Sequence, residues 1–164
     1  MLVAAGEFNS AMGGPGFQDF RTFTFNSQFY EPLDPVGYEF NRRTVYRTWV
    51  RSGRNEFLDV FDCPDPSTTA PRRAVTTTPL QALALLNNSF TLRMAERLAD
   101  RARREAGTTE APNVEREIEQ VYALALQRAP EAEERTEAKS FVAGHGLPAF
   151  CRVIFNSNEF LYVD

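Results

Sequence analysis

Thr78-Pro79-Leu80-Gln81-Ala82-Leu83 is the stretch on which the reading of this chain turns. Thr at the N-cap, Pro at the first helical position and Gln at the third have the order of a capping box. In such a box the Thr and Gln side chains satisfy backbone N–H groups that the first helical turn leaves exposed. A helix is predicted from Pro79 to about Ala106, with Gly107 as its stop. Leu83, Leu86, Phe90, Met94 and Leu98 recur at spacings of three and four and give it a buried stripe. Arg97, Arg101 and Arg104, with Glu96 and Asp100, make the solvated face. Asn87 and Asn88 interrupt this pattern, and Asn is a poor mid-helix residue. A buried amide bonded to the backbone of the N-terminal segment is the expected reason, with a ligand contact as the alternative.

Downstream, residues 107–112 read as a linker, and Asn113 caps a second helix with Val114, Ile118, Val121, Tyr122 and Ala125 on its inner face, ending near Gln127. Pro130 opens a third helix, with Glu131, Glu133 and Glu134 at the dipole-favoured N-terminus. Its apolar stripe (Ala138, Phe141, Val142) is thin. Gly144-His145-Gly146 reads as a turn. Leu147-Pro148 opens a fourth helix that buries Leu147, Phe150, Cys151, Ile154 and Phe155, and Asn156-Ser157-Asn158 weakens or ends it. Arg128 and Glu159 both flank apolar helical surface, so they are expected to pair and tie the second helix to the chain end.

Upstream of Thr78 the composition changes to Gly, Pro, Phe and Thr. Met12-Gly13-Gly14-Pro15-Gly16 is a turn. Thr22-Phe23-Thr24-Phe25 and Thr44-Val45-Tyr46-Arg47-Thr48-Trp49-Val50 have strand propensity, and Glu31-Pro32-Leu33-Asp34-Pro35 between them reads as a rigid loop. Phe17, Phe20, Phe23, Phe25, Phe29 and Tyr30 crowd together with little regular structure to hold them. They are expected to lie on another body, or else on the helical unit of the same chain. The reading is therefore mostly α: a small helical bundle over residues 79–164, preceded by an irregular, aromatic-rich arm with short β-strands over residues 1–78, the two forming part of one larger domain.

The 164 residues suffice for one domain, and 43% hydrophobic content supports a packed core. A formal charge of −4, from 22 acids against 18 bases, argues weakly against a dedicated nucleic-acid binder. No run approaches the roughly 18 apolar residues of a membrane helix. The opening Met1–Gly6 is too short for a signal peptide and lacks a basic start. Two cysteines make no disulfide framework, and no C-x-x-C pair is present for zinc or haem. Lys139 is the one lysine and arginine supplies the other bases, which reflects a GC-rich genome as readily as a functional need.

Three groups of residues are candidates for chemistry. Asp59, Asp62 and Asp65 place three carboxylates within seven residues, enough to suggest a calcium ion, yet their spacing fits no loop motif and a turn or ion-pair role is the simpler expectation. Arg42, Arg43, Arg47, Arg51 and Arg54, interleaved with Tyr46 and Trp49, have the composition of a single-stranded nucleic-acid or anionic-sugar surface. The acids that follow, and Arg72-Arg73 beyond them, favour mutual neutralisation instead. A nucleic-acid role predicts steep, salt-dependent binding through Arg42 to Arg54. His145 with Cys63 or Cys151 would be a base and a thiol, but Cys151 sits on an apolar helical face and reads as a small buried hydrophobe.

The ordered series Arg42-Arg43-Thr44-Val45-Tyr46, Phe61-Asp62-Cys63-Pro64-Asp65, Arg72 through Leu83, Leu86-Asn87 and Asn156 through Tyr162 resembles a domain of unknown function from Planctomycetes and their relatives. That domain stands at the C-terminus of large proteins that often carry a planctomycete-type cytochrome c domain upstream. The resemblance covers nearly the whole chain, and Gly13-Gly14-Pro15-Gly16 falls inside the family domain rather than at its start. It implies that the chain is the C-terminal portion of a longer domain, that Met1 is an internal methionine or the edge of a truncated gene, and that the setting is extracytoplasmic. Signal peptide and haem c motif would lie upstream, with no cofactor in this chain. No catalytic residue is carried over, because none is established for the family. Tyr122 through Arg128-Ala129-Pro130 and on to Asn158-Glu159-Phe160 also resembles, loosely, a helical module of surface-layer and exported proteins.

The function expected is a non-catalytic structural or interaction portion of an exported, cytochrome-associated protein. Its partner would be the upstream part of its own domain or another protein, without nucleic acid and without a membrane span. The alternative is part of an extracytoplasmic enzyme acting on polysaccharide, its site completed by residues elsewhere. A pocket in which Asp59, Asp62, Asp65 or Glu31 converge with aromatic walls would favour that alternative.

Overall fold

The computed structural model describes residues 1–50, 53–64, 69, 71–72, 76, 78–109 and 111–162. In chain order the elements are helix α1 (Leu2–Ala5), strands β1 (Phe20–Thr24) and β2 (Gln28–Pro32), single 3-10 turns at Tyr38–Phe40 and Thr44–Tyr46, and helices α2 (Glu56–Val60), α3 (Pro79–Asn87), α4 (Ser89–Ala106), α5 (Val114–Leu126), α6 (Ala132–His145), α7 (Leu147–Phe155) and α8 (Asn158–Leu161). The fold is mostly α, with one two-stranded antiparallel sheet among the described residues. The chain divides into two compact units: Met1–Glu7 with Leu85–Asp164, and Phe8–Ala84.

The first unit is built on α4. Met94, Ala95, Leu98, Ala99 and Ala102 are buried at the helical period, and the three alanines let neighbouring helices approach closely. Against them pack Ile118, Val121 and Tyr122 of α5, Ala138 and Val142 of α6, and Leu147, Phe150, Cys151, Ile154 and Phe155 of α7. Helix α1 joins this core through Ala4 and Ala5, although nothing in the opening residues announces a helix. Its C-terminal carbonyls are bonded from α4, because the Arg101 guanidinium donates to the backbone oxygens of Val3 (2.8 Å), which also accepts the Gly6 N–H, and Ala4 (3.0 Å). Helix ends follow the local chemistry: Asn113 Oδ1 accepts from the Arg116 N–H at 3.2 Å, and Gly107 closes α4 in the left-handed conformation at φ 68°.

The expected long helix from residue 79 to 106 is two helices. Asn88 is the N-cap of α4, its Oδ1 accepting from the Phe90 N–H at 2.9 Å. Asn87 is the exposed last residue of α3 rather than a buried amide. An asparagine side chain that bonds local backbone ends one helix and starts the next. The break also shifts the phase of the buried stripe. Leu85 is buried while Leu83 is 54% exposed, and Leu86 and Phe90 are only half-buried. Helix α6 starts at Ala132, with Glu131 as its N-cap, and runs through Gly144 and His145 to stop at Gly146 (φ 83°), so the expected turn is shorter than three residues.

In the second unit β1 and β2 form a hairpin in the register Phe20↔Pro32, Thr22↔Tyr30 and Thr24↔Gln28, which absorbs Glu31 and Pro32 from the expected loop. The Leu33 N–H extends this ladder by donating to the Asp19 carbonyl at 2.8 Å. The second expected strand, Thr44 to Val50, is instead a 3-10 turn over Thr44–Tyr46. Arg47 then meets Phe17 in a single parallel bridge. Tertiary partners override strand propensity here, because Tyr46 and Arg47 are both held from residues far upstream.

Replacing Asn88 with Ala removes the α4 cap and is expected to cost about 0.5–2 kcal/mol, read as a lowered midpoint in urea unfolding followed by circular dichroism. An unchanged midpoint would show that the break between α3 and α4 does not depend on that cap.

Candidate functional site

The arginines singled out in the sequence are engaged inward. Arg42 donates to three carbonyls of the Gly-rich loop, those of Gly13 (2.6 Å), Pro15 (2.9 Å) and Ala11 (3.3 Å). Its guanidinium lies 4.0 Å from the centre of the Tyr46 ring, and the Tyr46 hydroxyl accepts the Gly13 N–H at 2.9 Å. The loop approaches closely enough that a Cβ at Gly16 would stand 2.8 Å from the Tyr46 carbonyl oxygen, so only glycine fits there. Arg42 therefore does for residues 11–15 what a helix or sheet would do for its own backbone.

Arg47 is the buried centre of the unit. Its Nε donates to Asp19 Oδ2 at 2.7 Å, its Nη2 to the Gly53 carbonyl at 3.1 Å, and its plane lies 4.6 Å from the Trp49 ring centre. Asn55 Nδ2 donates to the same Asp19 oxygen at 3.2 Å. The ion pair is almost wholly out of water, with 3% of the Arg47 side chain and 8% of the Asp19 side chain exposed. Asp19 Oδ1 and Arg47 Nη1 are buried without a hydrogen bond among the described residues. A pair satisfied on one prong only fixes geometry more than it adds stability. Sequence reasoning missed Asp19. The available signal is that it is the lone acid between Glu7 and Glu31, in a stretch otherwise aromatic and polar.

The aspartate cluster does not assemble. Asp59, in α2, faces Arg54 at 3.9 Å. Asp62 sits just beyond α2 at φ 56°, and its carboxylate accepts from the Thr76 N–H (2.7 Å) and hydroxyl (2.8 Å). Asp65 lies outside the described residues. No group of three or more His, Cys, Asp and Glu side chains suited to a metal ion occurs among the described residues. Glu31 is taken by Arg21 across the hairpin, Nε to Oε2 at 2.9 Å.

Asp62 belongs instead to a polar knot around Gln81. The Thr78 N–H donates to Gln81 Oε1 at 3.1 Å, and the Gln81 N–H donates to Thr78 Oγ1 at 3.3 Å. Both halves of the capping box are thus in place. Gln81 Nε2 also donates to the Val60 carbonyl (3.0 Å) and Thr76 Oγ1 (3.2 Å). One glutamine caps α3 and joins it to the end of α2. Arg43 and Arg72 are exposed, while Arg73 and Arg51 lie outside the described residues.

In the helical unit Arg128 bonds two carboxylates at once. It donates to Glu159 at 2.6 and 2.7 Å and to Glu134 at 2.7 Å on each oxygen, and it lies 5.2 Å from the Tyr122 ring centre. Glu134, a dipole-favoured acid of the first turn of α6, also accepts the Glu131 N–H at 2.8 Å. Hydrogen bonding to Arg128 holds its carboxyl down at about 2 and holds Glu159 below its ordinary value. Burial pushes the Cys151 thiol well up, which suits a core residue and not a nucleophile. His145 stands at the end of α6 with its ring 4.7 Å from that of Phe141.

Among the exposed apolar side chains, three phenylalanines belong to the hairpin. On one face of the hairpin Phe23 and Phe29 stack at 5.6 Å and 17°, beside the Arg21–Glu31 pair. Phe25 at the tip is 81% exposed. On the other face Phe20 is buried and meets Tyr30 edge-on at 5.5 Å. Three phenylalanines on one solvent-facing surface form a patch with no counterpart in the hairpin itself.

Two outcomes test these interactions. Asp19→Ala leaves a buried guanidinium uncompensated and is expected to cost about 3–5 kcal/mol, while Asp19→Leu with Arg47→Met recovers most of that loss; chemical denaturation monitored by Trp49 fluorescence reads both. The Glu134 carboxyl titrates in the fold at about 2 rather than 4.5. Its contribution is therefore complete above pH 4.5 and lost as pH falls through about 2. Glu134→Gln should flatten the acid limb of the stability curve between those values, and an identical acid limb in the variant would remove the pairing from the stability of the fold.

No curated protein and no solved structure matches the chain. Residues 1–142 match the family model of PSD1, described as a protein of unknown function (DUF1553). The match takes in the Gly-rich loop, the hairpin, the capping box and the helices through most of α6, and the chain belongs to that family.

Proposed function

We propose that this chain is a non-catalytic structural and interaction portion of an exported, cytochrome-associated protein, and that the aromatic face of its hairpin docks on another folded body. The upstream part of its own domain or a partner protein would supply that body. The exposed, stacked Phe23 and Phe29 with Phe25 carry this reading. Arg42 and Arg47 support it from the other side, since both guanidinium groups are turned inward onto carbonyls and Asp19 and are not presented to a polyanion. Resemblance to the planctomycete domain supports the extracytoplasmic setting and a haem c carried upstream in the full-length protein. No helix among the described residues is long and apolar enough to cross a membrane.

The size of the patch bears on the kind of contact. At about 200 Å² per phenylalanine, the exposed parts of the three rings amount to about 350 Å². A standard freestanding interface buries about 800 Å² on each partner. One hairpin face thus suits a contact held at high effective concentration by a covalent link or by a larger assembly.

A photo-cross-linking residue put in place of Phe25, within the full-length protein in its own cells, is expected to give a discrete adduct. Its mass and peptides would separate an intramolecular bridge from a second protein. No adduct on illumination, with the protein present at normal level, would overturn the docking role.

A further inference from the structure

We propose that a second copy of this chain pairs antiparallel along the free edge of β1, joining two hairpins into one four-stranded sheet. The inference rests on the aromatic face as a docking surface and states how that face reaches a working size.

Among the described residues of its own unit the hairpin packs against no other helix or strand, and a two-stranded hairpin is marginal in water until further strands join it. The phase of its ladder shows which groups are free. Leu33 bonds Asp19, and the Phe25 N–H donates to the Ser27 carbonyl at 3.1 Å. Odd-numbered residues of this strand therefore face β2, and the N–H and C=O groups of Thr22 and Thr24 point outward. Neither makes a backbone hydrogen bond elsewhere among the described residues. The edge is thinly guarded: β1 holds no proline, lysine or bulge, and its one charge, Arg21, is taken by Glu31 of β2.

A two-fold axis at Phe23 makes this edge complementary to itself. Thr22 and Thr24 of one copy then exchange hydrogen bonds with Thr24 and Thr22 of the other. Phe23 meets its counterpart in a non-hydrogen-bonded pair, where cross-strand side chains come closest. Arg21 falls opposite Phe25, a cation beside a ring, and no two like charges face each other. Phe29, Phe23 and their counterparts then form one row of four rings on a single face. Two copies present about 700 Å² of phenylalanine surface, close to the roughly 800 Å² that a standard interface buries per partner.

Sedimentation equilibrium of the 164-residue chain tests this, together with amide hydrogen exchange. A reversible monomer–dimer equilibrium is expected, with exchange at Thr22 and Thr24 slowing about tenfold or more as concentration rises. Thr22→Pro removes an outward donor and none of the hairpin's own bonds, a placement that strand edges tolerate; it should leave a monomer with unchanged circular dichroism. A chain that stays monomeric up to about 1 mM, in the weak range for protein association, overturns the proposal. Dimerisation of Thr22→Pro equal to that of the parent overturns it too. Cross-linking at position 25 separates the two readings. An adduct to another body from a monomeric chain would leave the docking face standing without the dimer, and a dimer without such an adduct would leave the edge pairing standing alone.

Discussion

An arginine and an aspartate taken out of water together hold the second unit in shape. Desolvating both costs several kcal/mol per ion, repaid only where the geometry is good. Arg47 and Asp19 therefore accept few arrangements, and the chain around them follows. Asp19 sits at the root of the hairpin, with its side chain on Arg47 and its carbonyl on Leu33. Arg47 reaches the Gly53 carbonyl and stacks on Trp49. Arg42 applies the same chemistry to the Gly-rich loop. In this unit guanidinium groups replace the backbone ladders that a regular fold would use.

The helical unit rests on a different force. Its centre is a set of fully buried aliphatic and aromatic side chains around the small residues of α4, where burial of apolar area supplies the stabilisation. Charge appears at its edges. Arg128 gathers Glu134 and Glu159 at the chain end, and Arg135 with Lys139 pairs Glu115 and Glu119 between α5 and α6. These contacts are partly exposed and worth little singly; the Arg128–Glu159 pair ties the short α8 to the end of α5, and the others tie α5 to α6.

The two units differ in how openly they declared themselves. Asn113, Gly107 and the Leu147-to-Phe155 stripe were legible because caps and amphipathic period are local properties of a helix. The break at Asn88 was misread because one asparagine serves equally as a buried amide or as a cap, and only the next helix decides between them. Thr44 to Val50 has the composition of a strand, yet Arg47 found its partner 28 residues upstream and the segment turned toward it. The aspartates, close in sequence, were drawn to different partners: Asp59 to Arg54 and Asp62 to Thr76.

From the sequence alone came the mostly α class, the caps at Asn113 and Gly107 and the Leu147-to-Phe155 stripe, since each depends on residues within four positions of one another. The capping box at Thr78 and Gln81 belongs with them. Tertiary structure alone decided which of seventeen arginines are buried, which carboxylate each one meets, and which phenylalanines stay outside. A guanidinium or an aromatic ring takes its energy from a neighbour that chain spacing does not specify. Its role is fixed only when folding brings that neighbour within a few ångströms.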